Sequence, residues 1–279
     1  MGTTKKSKNQ KIIKKQVNKA IKRIPLGIVI CILIVGCIVG YLYYKKINDN
    51  KDSTNENNIK GNVAYLVQEG TTVDDVKITF LELFGTNGNP QIGDSVFIEC
   101  GDIDILIDAG EKASGSNTVV PFIEEHVSDN ILELVIVTHA DSDHLGGMVG
   151  LSNSYGALEV PGITYQYIVD FGYEGQTQLY KDYLEVRNKK IKEGTKYFSI
   201  GSIFDSDHLE AITRFYLGVD TYLDLLDYKT YEISEITDDN DRSVSCLLTH
   251  NDKKVLLCGD AEKKEEAYLT SCLLYTSPS

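Results

Sequence analysis

Three short apolar runs in this chain end in acids or imidazoles, and nothing else constrains its fold as much. They are ILIDAG (105–110), LELVIVTHADSDHLGG (132–147) and VLLCGDAE (255–262). A continuous apolar run of this length reads as a strand buried on both faces rather than one that alternates between core and water. Each run then delivers Asp108, His139 or Asp260 at its carboxyl-terminal tip. Sheets covered by helices carry their sites along that edge.

The flanking sequence supplies the rest of an α/β fold. VKITFLELF (76–84), DSVFIEC (94–100) and YIVDFG (167–172) read as further strands, separated by Gly, Asn and Pro. NTVVPFIEEHVSDN (117–130) reads as a helix, and TQLYKDYLEVRNKKIKEG (177–194) as an amphipathic helix stopped by Gly194. Residues 243–262 read as a hairpin turning at Asn251-Asp252, followed by a new helix. Strands gathered before and after helices predict mixed sheets covered by helices.

The densest chemistry lies at 139–144, where His139, Asp141, Asp143 and His144 fall within six positions. On an extended backbone alternate side chains share a face, so His139, Asp141 and Asp143 are expected to project together. Imidazole mixed with carboxylate is the donor set of borderline and hard divalent metals. Gly146 and Gly147 let the chain turn closely past such a site. The plain alternative is a capping loop, with Asp141 or Asp143 as N-cap of a short helix.

HxDxDH followed by LGG, with LIDAG upstream and GDAE downstream, resembles the metallo-β-lactamase superfamily. Asp141 stands where the usual motif has a second His, a form similar to the branch that includes the extracytoplasmic domain of the DNA-uptake protein ComEC. GDSVFIEC and NDRSVSCLL match that branch too, and the resemblance covers about residues 76–265. It implies a four-layer αββα sandwich binding two divalent ions, Zn²⁺ first with Mn²⁺ as rival. His139 and Asp141 would hold one ion and Asp143 and His144 the other, with Asp260 bridging both. Asp143 would also orient the attacking water as the catalytic residue. Asp108 would support the ligands from behind, with Asn240 or Asp241 as further candidates near the site. His250 falls at a hairpin turn, and His126 and His208 match no motif. The family's late His does not occur in this chain, so the second ion is expected to be weakly held.

The implied activity is hydrolysis of an ester, amide or phosphodiester by a metal-activated hydroxide. A nuclease like ComEC and a non-catalytic anchored binding domain are the alternatives. Charge bears on the choice. Residues 1–23 hold nine of the 28 basic groups and no acid, which leaves 19 basic groups against 41 acids in the remainder, a net of −22. Duplex DNA is bound largely through Lys and Arg on phosphates, so this balance favours a substrate smaller or less charged than DNA. Arg187–Lys196 is the densest basic stretch, with five cations and one acid.

Between the halves lies an uncharged stretch, residues 24–44. As a helix it would span roughly 31 Å, about one hydrocarbon core. With the basic segment 1–23 on its cytoplasmic side, it predicts a single-pass membrane anchor with the hydrolase domain outside. Residues 45–61 read as a polar linker, 62–268 as the domain and 269–279 (LTSCLLYTSPS) as the read-through of a sequencing adapter on a truncated chain, not as a continuation of the last helix. Cys100, Cys246 and Cys258 lie in apolar runs and read as small core residues.

Overall fold

A computed structural model of the 279-residue chain describes residues 62–172, 175–200, 212–226 and 238–276. The expected anchor and linker, together with His208, lie outside the described residues. Among the described residues no helix is long and apolar enough to cross a membrane.

Two sheets form the core. The first has six strands in the order β2 (Lys77–Phe80), β3 (Val96–Cys100), β4 (Ile103–Ile107), β5 (Ile131–Ile136), β6 (Thr164–Asp170) and β7 (Lys196–Ser199). β2, β3 and β4 pair antiparallel, whereas β4 through β7 run parallel. The second sheet has the order β1 (Asn62–Tyr65), β8 (Ile212–Gly218), β9 (Thr221–Leu225), β10 (Cys246–His250) and β11 (Lys253–Leu257). β1 joins β8 in parallel and the rest are antiparallel. β4 is buried at all five positions and β5 at five of six, as expected for these continuous apolar runs. The third run is not buried as expected: β11 is an edge strand exposed at every position but Leu257, and Cys258 after it is only half-buried. The sheets meet through Phe215 of β8, whose ring lies 5.3 Å from Tyr167 of β6 and 6.2 Å from Phe198 of β7.

The 112–126 segment covers the six-stranded sheet as α1 (Lys112–Ser114), a π-helical stretch (Gly115–Val119) and α2 (Val120–His126). The Phe122 ring of α2 meets Phe97 of β3 edge-on at 5.2 Å. This segment starts before the expected 117 and ends at His126, because Val127 leaves the helical conformation ahead of the Asp129–Asn130 turn. A four-residue α3 (Ser142–Leu145) and a 3₁₀ turn (Gly146–Met148) follow β5. α4 (Gln178–Glu193) has the predicted ends: Thr177 Oγ accepts the Tyr180 N–H, and Gly194 closes the helix at φ 111°. α5 (Lys263–Thr276) follows β11.

Several expectations needed correction. β1, β7, β8 and β9 went unread, and VKITFLELF yields only the four-residue β2. In β8 and β9 charged or polar residues alternate with buried Phe215, Leu217, Leu223 and Leu225, a half-polar pattern that a search for apolar runs passes over. The final segment does continue the helix, as far as Thr276, because no Gly or Pro interrupts it before Pro278.

Candidate metal centre

Three chain segments converge where β4 and β5 end. The Asp108 N–H continues the β4–β5 ladder by donating to the Ile136 carbonyl (2.9 Å). Asp108 itself adopts φ +57°, a left-handed conformation that Asp tolerates better than most residues. There it is almost fully buried and collects three partners. Oδ1 accepts the Thr138 N–H (2.8 Å), while Oδ2 accepts the Thr138 hydroxyl (2.5 Å) and faces His144 Nδ1 (2.8 Å).

This network orients both imidazoles. The Thr138 hydroxyl proton goes to Asp108, so its oxygen is free to accept from His139 Nδ1, 2.9 Å away. Ser243 Oγ stands 3.4 Å from the same nitrogen. With the proton assigned to Nδ1 by these neighbours, His139 Nε2 keeps its lone pair. That atom is buried and has no hydrogen-bond partner, with Asp141 Oδ2 3.9 Å away. In the same way Asp108 takes the Nδ1 side of His144, whose Nε2 lies 3.3 Å from Asp260 Oδ1. The two rings are 4.1 Å apart, and ligand atoms of His139, His144 and Asp260 all lie within 4.8 Å of one another.

Burial opposes charge on His144, but the hydrogen bond and charge of Asp108, with Asp260 and Asp143 behind it, raise its pKa to about 9. Burial and the charge of His144 push His139 the other way, below the usual imidazole range. Two adjacent buried imidazoles, one kept neutral with an unpartnered nitrogen and both facing an exposed carboxylate, form a donor set that fits a divalent cation.

The other expected residues fall as follows. The chain stays extended only through Asp141, at ψ 148°, and turns helical at Ser142. Asp143 therefore does not share a strand face with His139 and Asp141, as strand alternation had suggested. The helical turn is what swings His144 against His139. Asp141 stands at the N-cap of α3 but makes no side-chain capping bond, which leaves its half-exposed carboxylate beside His139. Asp143 is half-buried in the first turn.

Asp241 is engaged elsewhere, its Oδ1 accepting the N–H groups of Lys264 and Glu265 at the start of α5. The Asn240–Arg242 3₁₀ turn instead reaches the imidazoles through the next residue, Ser243. His250 bonds Thr221 at 2.8 Å on the hairpin, and His126 stacks on Phe122 and faces Glu99. Sequence reasoning missed Thr138, Ser243 and Asp94. Thr138, directly before His139, was the most accessible of these to sequence reasoning, since metal-binding imidazoles need a partner on their second nitrogen.

Close backbone contacts hold the loops in place. Gly147 packs where a Cβ would overlap the Ala109 carbonyl, and its N–H donates to the Gly110 carbonyl (2.7 Å). Gly259 adopts φ +53° against Thr138 and Ser243, which brings Asp260 to the imidazoles.

The site is therefore a His–His–Asp group at the strand tips of a mixed α/β fold. Residues 88–218, just under half of the chain, match the profile described as the metallo-beta-lactamase superfamily. No curated protein matches the chain. Among solved structures the chain is similar to the metallo-beta-lactamase fold protein YhfI from Bacillus subtilis, at 16% identity over 66% of this chain and 61% of that one, with a TM-score of 0.35. It is also similar to a metallo beta lactamase from Hirschia baltica (20% identity, 46% and 50% coverage, TM-score 0.22). A third is the metallo-beta-lactamase FIM-1 from Pseudomonas aeruginosa in its mono-zinc form (14%, 64% and 64%, 0.27). The chain thus spans less than two thirds of each of these proteins.

Proposed function

We propose that this domain is a metal-dependent hydrolase using two divalent ions, Zn²⁺ or Mn²⁺, and held by residues 24–44 on the outer face of the cell membrane. The observation that carries the reading is the buried, unpartnered His139 Nε2 beside His144 and Asp260. Burying a polar nitrogen with nothing to bond it costs about 1–3 kcal/mol, and a cation there removes that cost. His139 and Asp141 would hold one ion, Asp143 and His144 the other, and Asp260 would lie between them. When bound, such ions activate water and polarise the oxygen of the scissile bond. Thr138, Ser243 and Asp108 hold the Nδ1 sides of the two imidazoles, which leaves their Nε2 atoms for metal, and Asp143 would orient the water.

The substrate in this reading is a small ester, amide or phosphodiester rather than DNA. The net charge of −22 beyond the basic segment supports this, and so do the partners of the Arg187–Lys196 stretch. Arg187 Nη1 is 2.8 Å from buried Asp170, with the guanidinium over the Tyr197 ring. Lys190 pairs with Glu193 at 3.0 Å, and Lys196 donates to Tyr167 Oη at 2.9 Å. Three of the five cations thus already have partners within the fold.

The test uses the full chain purified in detergent, with Zn²⁺ or Mn²⁺. A neutral ester and a small phosphodiester are assayed beside single- and double-stranded DNA, and protease is applied to intact cells. Turnover of a small substrate that is lost in Asp143→Ala, with the domain digested from outside, is the expected result. DNA cleavage that persists at 150 mM salt and depends on Asp143 would restore the nuclease reading. A domain protected in intact cells and digested only after lysis would reverse the topology.

A further inference from the structure

We infer that Asp94 is a further carboxylate of the metal centre, set at its open side by a three-residue clamp, and that it is a positioning residue for the bound cation. This rests on the metal-dependent reading above and deepens it.

The clamp is the segment Gly93–Asp94–Ser95, just before β3. Gly93 adopts φ +105° and packs where a Cβ would overlap the Asp143 carbonyl, so only glycine fits. The Asp94 N–H donates to that same carbonyl at 3.2 Å. The Asp94 carbonyl in turn accepts the Gly110 N–H at 2.9 Å, and Ser95 Oγ donates to the Asp108 carbonyl at 3.0 Å. Three consecutive residues are thus tied to two of the loops that build the centre, the one bearing Asp143 and His144 and the one bearing Asp108.

The Asp94 side chain is solvent-exposed, unlike Asp108. Its carboxyl feels the charges of His144, Asp260, Asp108 and Asp143. It therefore stands on the accessible side of the same cluster that Asp108 supports from within. His144 is the one positive side chain among these neighbours, against four carboxylates counting Asp94 itself, so an excess of negative charge remains for a bound cation to offset. The chemical class this implies is a divalent cation with oxygen ligands, reached directly or through its water.

The test is titration of the full chain in detergent with Zn²⁺ and with Mn²⁺, together with thermal melts of the chelator-treated and metal-loaded forms. Asp94→Asn keeps both backbone bonds and nearly the same volume. It is expected to weaken at least one ion by about 10–100-fold, the usual range for residues supporting a metal site. It should also raise the melting temperature of the metal-free form, because one member of a repelling carboxylate group loses its charge, and shrink the further rise on adding metal. Asp94→Glu retains the charge and should bind more tightly than the Asn variant. Asp94→Ser gives the same readout if the amide is poorly accommodated.

Wild-type metal uptake with unchanged affinity in Asp94→Asn overturns the inference alone. So does a lower metal-free melting temperature with an unchanged metal-induced rise, since that marks a purely structural loop. A wild-type chain that takes up no metal overturns the hydrolase reading and this inference together.

Discussion

Asp108 offers the sharpest test of how the centre is held, because one side chain serves three groups from an unfavourable backbone position. Replacing it with Ala strands the Thr138 N–H, the Thr138 hydroxyl and His144 Nδ1 in a buried space. Each stranded group costs about 1–3 kcal/mol. A left-handed backbone with a Cβ but no compensating side-chain bond adds about 1 kcal/mol. Asp108→Ala should therefore destabilise the fold by about 4 kcal/mol or more. Asp108→Gly loses the same bonds but not the backbone strain, and should be about 1 kcal/mol more stable than the Ala variant. Asp108→Asn tolerates φ +57° and keeps an acceptor for the Thr138 N–H, so its loss should stay near about 1–2 kcal/mol. The amide presents an N–H toward His144 Nδ1, however, which moves the imidazole proton to Nε2, the nitrogen facing Asp260. Metal affinity should then fall by about 10–100-fold although the fold survives. Urea denaturation of the chelator-treated chain followed by circular dichroism, with metal titration alongside, reads both quantities. Equal destabilisation by Asn and Ala, or an Ala variant as stable as the Gly one, would refute this account of the hub.

Three further outcomes follow from the structure. Gly147→Ala should prevent normal folding or cost several kcal/mol by urea denaturation, because its new methyl meets the rigid Ala109 backbone rather than a mobile side chain. Arg187→Met should cost about 3 kcal/mol, since it leaves buried Asp170 with the Tyr183 and Tyr197 hydroxyls and the Gly172 N–H but no positive charge; Asp170→Asn made in the same background should recover part of that loss. At the opposite end of the six-stranded sheet, burial raises Asp104 and Glu133 to about 7, and for Asp104 the charge of Glu133 adds to it. The folded state then holds protons that the unfolded chain releases near pH 4, so this pair's contribution to stability falls as pH rises toward and through about 7. Asp104→Asn should gain on the order of 1–3 kcal/mol relative to wild type at pH 8 and little at pH 5, measured by urea melts at both values.

The local code was most legible where composition alone decides the outcome. The continuous apolar runs around Ile105 and Leu134 gave β4 and β5, and with them the edge where Asp108 and His139 emerge, whereas the similar run at Val255 is exposed on edge strand β11, because burial also depends on what packs against a strand. Thr177 and Gly194 marked both ends of α4, because capping is settled within a few residues. The hairpin at Asn251 was readable for the same reason, a left-handed turn position with its signature residue. Strands β8 and β9 were not readable, since an alternating, half-polar segment becomes a strand only when a neighbouring sheet supplies its ladder and covers Phe215 and Leu223.

At the centre the residue types pointed to a cation, but their arrangement did not follow from spacing. Alternation along an extended chain would have aligned Asp143 with His139, whereas the helical turn at Ser142 placed His144 there instead. That turn is pinned by contacts with Gly93, Ala109 and Gly110, partners distant in sequence. Ser243 and Asp94 reach the site from 104 and 45 positions away from His139, and no local pattern marks them. Donor chemistry belongs to each side chain and can be read one residue at a time. Which donors meet depends on loop closure between strands of two sheets, and only the folded chain decides that.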